Sequence, residues 1–261
     1  PSGLELLDHR EKNPFEVKKL DATFPVSEGP AGLRAAIDRL CDEAERAVRD
    51  EEVGIVIIDD GAVSPVRAPV PSLLATGAVH HRLTQAFLRS NTSLVVASDD
   101  ARDVHAIACL LGYGADAVCP RLALQSVADE ADRSEDQVSA EAQQRYEAAV
   151  EGGVLKILSK MGISTIDSYR GAQIFEVIGL GPEVVDVCLK GTPSVVGGIG
   201  WQALGEDVMT RHREAYPAEG KVDLGSPGYY RDRKNGEYHA HDAEVVAKLN
   251  ALTLVKPERS K

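Results

Sequence analysis

The chain has 261 residues, 43% hydrophobic and 27% charged, which is the composition of an ordinary globular protein with ample material for a core. Twenty-nine basic against 41 acidic residues leave a net charge of −12, which excludes nonspecific binding to nucleic acid or an anionic membrane, because the phosphate term would be repulsive. No run approaches the length of a membrane-spanning helix, and the N-terminus has no signal-peptide pattern.

Residues 1–14 read as a leading loop. Phe15 to Phe24 alternates partly and predicts a first strand whose end presents Asp21 and Thr23. Gly29-Pro30 opens a helix over 31–50, whose apolar residues from Leu33 to Val48 step by three and four into one buried stripe. Val53 to Ile58 is a solid apolar run closed by Asp59-Asp60-Gly61, the pattern of a strand buried on both faces of a parallel sheet. Pro65, Pro69 and Pro71 make 61–71 a rigid extended loop, after which Ser72 is expected to cap a helix to about Arg89. A strand over Ser93–Ala97 ends in Ser98-Asp99-Asp100, with Asp100 as the expected cap of a helix from Ala101 to Leu111. Gly112-Tyr113-Gly114 breaks that helix before a short strand at Ala115–Val118.

Strand and helix alternate throughout this half, which is the βαβ rhythm of a parallel sheet with right-handed crossovers. Ser134-Glu135-Asp136-Gln137 is a capping box for a helix reaching about Glu151, and Gly152-Gly153 separates it from a helix over 154–161 that Gly162 ends with a positive φ. Ile163–Ile166 is a β-prone run. Ser168 to Gln173 is expected to be a buried turn with its polar groups fixed by partners. Pro182 to Lys190 forms a helix stopped by Gly191, residues 191–200 a loop, and Trp201 to Ala215 a further helix. The chain is loop-rich from Tyr216, with a last helix at about 242–252 and a basic tail. The fold expected is an α/β one, a parallel sheet of βαβ units flanked by helices. It is read as a single domain over 1–261, with the βαβ core at 1–125 and a helical, loop-rich part at 126–261.

Asp21, Thr23, Asp59, Asp60, Asp99 and Asp100 stand at or just past the carboxyl ends of predicted parallel strands, where α/β folds keep their sites. Aspartates there also cap helices and satisfy loop amides. Gly197-Gly198-Ile199-Gly200 before a helix offers backbone amides to a phosphate, but lacks the Gly-Lys-Ser/Thr ending of a nucleotide loop, so a tight turn is the simpler reading. His80-His81 has poor geometry for one metal if helical, and His239 and His241 share a face only if extended. His105 and Cys109 at helical spacing resemble a thiol–base pair, but their Ala- and Leu-rich surroundings favour core packing. Tyr229 to Lys234 mixes aromatic and basic residues as a local domain contact. Cys41, Cys109, Cys119 and Cys188 are scattered without a Cys-x-x-Cys, so reduced thiols and a cytoplasmic location are expected, with no metal or iron–sulfur site.

The run from Lys156 to Glu176, KILSKMGIST-x-x-SYRGAQIFE, resembles the signature in the central domain of glutamate synthase. Asp21-Ala22-Thr23-Phe24, Ala68 to His81, Leu111 to Val118, Gly191 to Ser194 with Gly197 to Gly200, and Gly236 to His239 resemble further segments of the same family, so that the similarity covers nearly the whole chain. The family makes glutamate from glutamine and 2-oxoglutarate. The resemblance implies a cofactor-free α/β domain, lying between a glutaminase domain and an FMN-containing synthase barrel and helping to shape the ammonia tunnel between them. The nucleophilic N-terminal Cys of the glutaminase is absent, since the chain starts at Pro1, and neither the flavin loops nor the 3Fe–4S cysteines of the barrel have a counterpart. The expectation is therefore a fragment, cut from a longer chain, that is catalytically inactive and holds no catalytic, cofactor or metal residue. The groups expected at tunnel ends or domain contacts are Asp21, Thr23, Ser168, Arg170 and Gln173. Two other classes stay open: an independent α/β enzyme or a phosphate or nucleotide binder using the strand-end aspartates, and an interaction module.

Overall fold

A computed structural model describes residues 14–134, 138–220, 222, 228, 231–233 and 236–254. It divides between Ala215 and Tyr216 into two compact units. In the first, strands β1 (Val17–Asp21), β3 (Ile55–Asp59), β5 (Ser93–Ser98) and β6 (Ala117–Pro120) form one parallel sheet in the spatial order β1-β3-β5-β6. Each strand therefore pairs with the next one of that sheet along the chain. The crossovers run through helices α1 (Ala31–Asp50), α2 (Ser72–Gln85) and α3 (Val104–Gly112). With uniform right-handed crossovers, an order without reversal puts all three helices on one face.

That face holds the cores. Leu20, Val56, Ile58 and Leu94 are buried with the apolar stripe of α1 and with Leu74, Ala75, Ala78, Val79 and Leu83 of α2, while Val96 is buried with Ile107, Ala108 and Leu110 of α3. The opposite face carries a smaller cluster of Ile57, Val95 and Ala97. Alternation along the strands makes this division automatic, because successive side chains point to opposite faces.

Helix α1 lies where its periodicity predicts, with Pro30 at the N-cap. Other boundaries differ for identifiable reasons. The proline loop contains β4 (Arg67–Pro69), which pairs antiparallel with β2 (Thr23–Pro25). Pro71 takes the N-cap of α2, leaving Ser72 inside the helix, where its carbonyl accepts from Thr76 Oγ1 at 2.7 Å. That helix stops at Gln85 rather than Arg89, because Phe87 turns to φ +59 and the amides of Phe87 and Leu88 bond back to Thr84 and Leu83. Asp103, not Asp100, caps α3, accepting from the Ala106 amide at 2.8 Å. β6 starts two residues later than predicted, after Asp116 has turned its carboxylate to the Leu94 amide at 2.7 Å.

The region after β6 differs most. It holds α4 (Arg121–Ser134) and α5 (Ser139–Lys160), and α5 runs straight through Gly152-Gly153. A Cβ at Gly153 would lie 2.5 Å from Val104 Cγ2, so the glycine there serves close helix packing instead of a break. The predicted capping box falls mainly outside the described residues, and Val138 is the N-cap of α5. Gly162 does end the helix, at φ +68. The β-prone run at 163–166 leads into a single helical turn, α6 (Ile166–Tyr169), and among the described residues no strand pairs with it. Beyond it, β7 (Ile178–Leu180) pairs in parallel with β8 (Val196–Ile199), a strand inside the stretch predicted as loop. Between them lies α7 (Pro182–Cys188), and α8 (Trp201–Ala215) follows.

In the second unit the described structure is chiefly α9 (Ala243–Leu254), begun by Asp242, whose carboxylate accepts from the Val245 amide at 2.7 Å. Among the described residues no helix is long and apolar enough to cross a membrane.

Candidate functional site

In-register parallel strands bring their ends to a common edge. At the carboxyl edge, Asp59 closes β3, Asp60 follows it, Asp99 follows β5, and Arg121 opens α4 directly after β6. The Arg121 guanidinium reaches all three carboxylates: Asp59 through Nη1, Asp60 through Nη2 at 2.5 Å, and Asp99 through Nη2 at 3.1 Å. Asp60 also accepts from Ser98 Oγ at 2.8 Å and from the Asp99 amide at 3.0 Å. Burial pushes the Asp60 carboxyl up, against the pull of Ser98, the Asp99 amide and Arg121. Burial opposes charge on Asp59 as well, but the Gly61 amide, Arg121 and Lys19 outweigh it and hold this carboxyl below its ordinary value. Asp59, Asp60 and Asp99 thus share one cation, Arg121. These three carboxylates are engaged with a guanidinium instead of facing one another across an open site.

Asp21 and Thr23 form a second knot at the same edge. Asp21 Oδ1 accepts from the Thr23 amide at 3.0 Å and from Thr23 Oγ1 at 2.6 Å, while Arg67 bonds Thr23 Oγ1 at 2.7 Å and Asp21 Oδ2 at 2.6 Å. Arg39 donates to the carbonyls of Asp21 and Thr23 at 2.8 and 2.9 Å. The knot ties β1 and β2 to β4 and α1. It borders a cavity of about 370 Å³ lined in part by Thr23, Arg39 and Arg67.

The larger cavity, about 740 Å³, opens at the amino ends of β3, β5 and β6. Asp116 sits in its wall between two arginines: Oδ2 takes Arg89 at 2.7 Å and Oδ1 takes Arg170 at 2.6 Å. Arg89 also donates to His80 Nδ1 at 3.1 Å and to the carbonyls of Thr92 and Gly114 at 2.6 and 2.8 Å. Burial, then the Arg89 charge, push His80 down to about 4, so it is neutral near pH 7 and carries its proton on Nε2.

The five residues singled out from sequence therefore divide between opposite edges of the sheet. Asp21 and Thr23 lie at the carboxyl edge, Arg170 at the amino edge. The turn that carries Arg170 is not buried as a whole: Tyr169 is 1% exposed, but Ser168 and Gln173 are exposed. Ser168 Oγ pairs with Thr165 Oγ1 at 3.0 Å, and Gln173 adopts φ +54.

The remaining motifs lose their chemical readings. Gly197 to Ile199 lie in β8, and a Cβ at Gly200 would meet Glu183 Oε1 at 2.0 Å; a carboxylate sits where a phosphate would have to approach. Burial pushes the Cys109 thiol up to about 11, so the 3.7 Å contact with His105 Nε2 joins a thiol, not a thiolate, to the imidazole. The rings of His80 and His81 meet edge to face at 5.2 Å, and His239 Nε2 bonds the Gly228 carbonyl at 2.5 Å. Among the described residues no three His, Cys, Asp or Glu side chains are grouped to hold a metal. Tyr229, Tyr230 and Lys234 lie outside the described residues.

Sequence patterning alone does not point to Arg121, Arg67, Arg39, Arg89 or Asp116, although Arg121, like the aspartates, directly follows a strand end.

This is a one-sidedly wound α/β domain in which Asp21, Asp59, Asp60 and Asp99 at the strand ends are engaged by arginines. A profile of the glutamate synthase central domain matches residues 2–181, about two thirds of the sequence. The chain belongs to the glutamate synthase central domain family. It is 41% identical over 253 residues to the NADH glutamate synthase of Schizosaccharomyces pombe, covering 94% of this chain and 12% of the relative. It is 37% identical to the ferredoxin-dependent glutamate synthase of Pyropia yezoensis, over 89% of this chain and 16% of that one. The large chain of the NADPH glutamate synthase of Bacillus subtilis is 38% identical, over 89% of this chain and 15% of that one. The chain thus spans 12–16% of the length of these relatives.

Proposed function

We propose that this chain is a single domain over 1–261 that makes up most of the central domain of a glutamate synthase, and that it links a glutaminase domain to an FMN- and 3Fe–4S-containing synthase domain of the same polypeptide. On this reading it forms part of the wall of the tunnel that carries ammonia between them, holds no cofactor, and catalyses nothing alone. Its location is cytoplasmic. Asp21 and Thr23 at one edge of the sheet, Arg170 at the other, and Ser168 and Gln173 on the turn that carries Arg170, are the groups assigned to tunnel ends or domain contacts.

The observation that supports this over an independent enzyme is the engagement of Arg121 with Asp59, Asp60 and Asp99 at the edge where an α/β fold ordinarily keeps its reactive groups. A scaffold needs that edge rigid; an enzyme needs it poised and accessible.

The test compares the purified 261-residue chain with the whole parent enzyme. The chain alone is expected to be colourless in the visible, to bind no FMN on titration, and to show neither glutaminase activity nor glutamate formation. In the parent, Thr23→Val is expected to raise the ratio of glutamine hydrolysed to glutamate formed above that of the wild type. Stoichiometric flavin or turnover by the chain alone would refute the reading.

A further inference from the structure

The cavity at the amino ends of β3, β5 and β6 is lined by more basic than acidic side chains. Its lining includes two guanidinium groups, Arg89 and Arg170, against one carboxylate, Asp116. Both oxygens of Asp116 are used, one by each arginine, and Oδ2 also accepts from the Leu94 amide. Arg89 has its Nε and both terminal nitrogens engaged with His80, Thr92, Gly114 and Asp116. The surplus positive charge consequently falls on Arg170. Its Nη2 holds Asp116 at 2.6 Å, while the nearest carboxylate to Nη1 is Asp167 at 3.6 Å, on a side chain that is 90% exposed. Its Nε is buried without a hydrogen-bond partner among the described residues. Nε is enclosed by the protein, so the donor with capacity left for an incoming acceptor is Nη1.

We propose that this cavity binds a small monocarboxylate, its head group received by Arg170. One surplus positive charge balances one negative charge. A dianion such as phosphate would leave net negative charge close to Asp116, and like charges at that range repel. The volume suits a small molecule. The lining includes the hydroxyl-bearing Thr84, Ser90 and Ser93 together with the apolar Phe15 and Ile55, which fits a short organic body better than a bare inorganic ion. The Arg170 fork matches a carboxylate in plane. This assignment does not depend on the scaffold reading, and either can fail alone.

The test is a nitrogen-15 NMR titration of the full 261-residue chain with sodium butyrate, with sodium chloride and sodium phosphate at matched ionic strength as controls. The expected result is a saturable shift confined to the Arg170 side chain, the His80 ring and the Ser93 amide. Arg170→Gln is expected to weaken half-saturation about tenfold or more, the loss of one charge-assisted pair, and Arg170→Lys by less. Shifts reproduced by chloride, shifts spread over the surface, tighter binding of phosphate, or unchanged binding by folded Arg170→Gln would each overturn the proposal. If Arg170→Gln does not fold, the wild-type shift map with its two controls decides.

Discussion

Replacing Arg121 by Gln removes the shared counter-ion of three carboxylates while roughly preserving side-chain volume. Asp60 and Asp59 have side chains only 6% and 16% exposed, so each is left as a poorly hydrated charge beside its neighbour; Asp99, at 43%, is largely screened and adds little. Breaking a buried pair by removing one partner costs about 3–5 kcal/mol, and the partial exposure of this site places Arg121→Gln near the lower end, about 3 kcal/mol. For a chain of this size that lowers Tm by roughly 6–12 °C. Denaturant unfolding followed by circular dichroism at pH 7.5 and at pH 5 reads both the size and the sign of the pH response. Asp59 is held below its unfolded value in the wild type, so its stabilisation is present above that value and is lost as pH falls through the folded one. Asp60 is raised already, and without Arg121 it rises further, so protonation relieves the variant as pH falls. The gap between wild type and variant therefore narrows from pH 7.5 to pH 5. A loss under about 1 kcal/mol at pH 7.5, or a gap that does not change with pH, would refute the account of this edge as a cluster held by one cation.

Three further predictions concern single positions. Phe87 is 91% exposed and sits at φ +59, so Phe87→Gly relieves a left-handed bulky residue without losing buried area; it is expected to stabilise by about 0.5–1 kcal/mol in chemical denaturation, and destabilisation would count against the strain. Gly152 has nothing within 4 Å of its missing Cβ whereas Gly153 faces Val104 at 2.5 Å, so Gly152→Ala is expected to raise stability by about 1 kcal/mol and Gly153→Ala to lower it by about 1–3 kcal/mol; equal effects would show that α5 does not need the second glycine. His80, depressed from 6.5 to about 4, contributes stability present above pH 6.5 and lost as pH falls towards 4, up to about 3 kcal/mol before screening by solvent. An NMR titration of its ring that shows an apparent pKa near 6.5 would contradict the buried, Arg89-bonded geometry.

Where sequence and structure agree, the deciding forces are local or periodic. The helix over 31–50 is fixed by its stripe, and the runs at 53–58 and 93–97 have no reading other than buried strands. The misreadings are tertiary. Gly152-Gly153 looks like a stop until Val104 is known to press against it, and Val196 to Ile199 looks like loop until Ile178 to Leu180 is beside it. Asp21 and Thr23 are correctly placed at a strand end, yet their partners Arg67 and Arg39 come from the short strand β4 and a helix whose approach only the fold supplies. One-sided winding cannot be seen in a βαβ rhythm, because the same alternation serves sheets wound in one direction or in two.

The order β1-β3-β5-β6 also bears on how so long a polypeptide acquires its shape. A sheet wound without reversal can be assembled in the order of synthesis: each strand, as it appears, finds its only earlier neighbour already in place, and each crossover helix closes on a strand just laid down. Pairings of low sequence separation form quickly, and chains made from the N-terminus consolidate domain by domain. A segment built this way can be firm before whatever follows it has been translated, and so offers later parts a finished surface on which to settle.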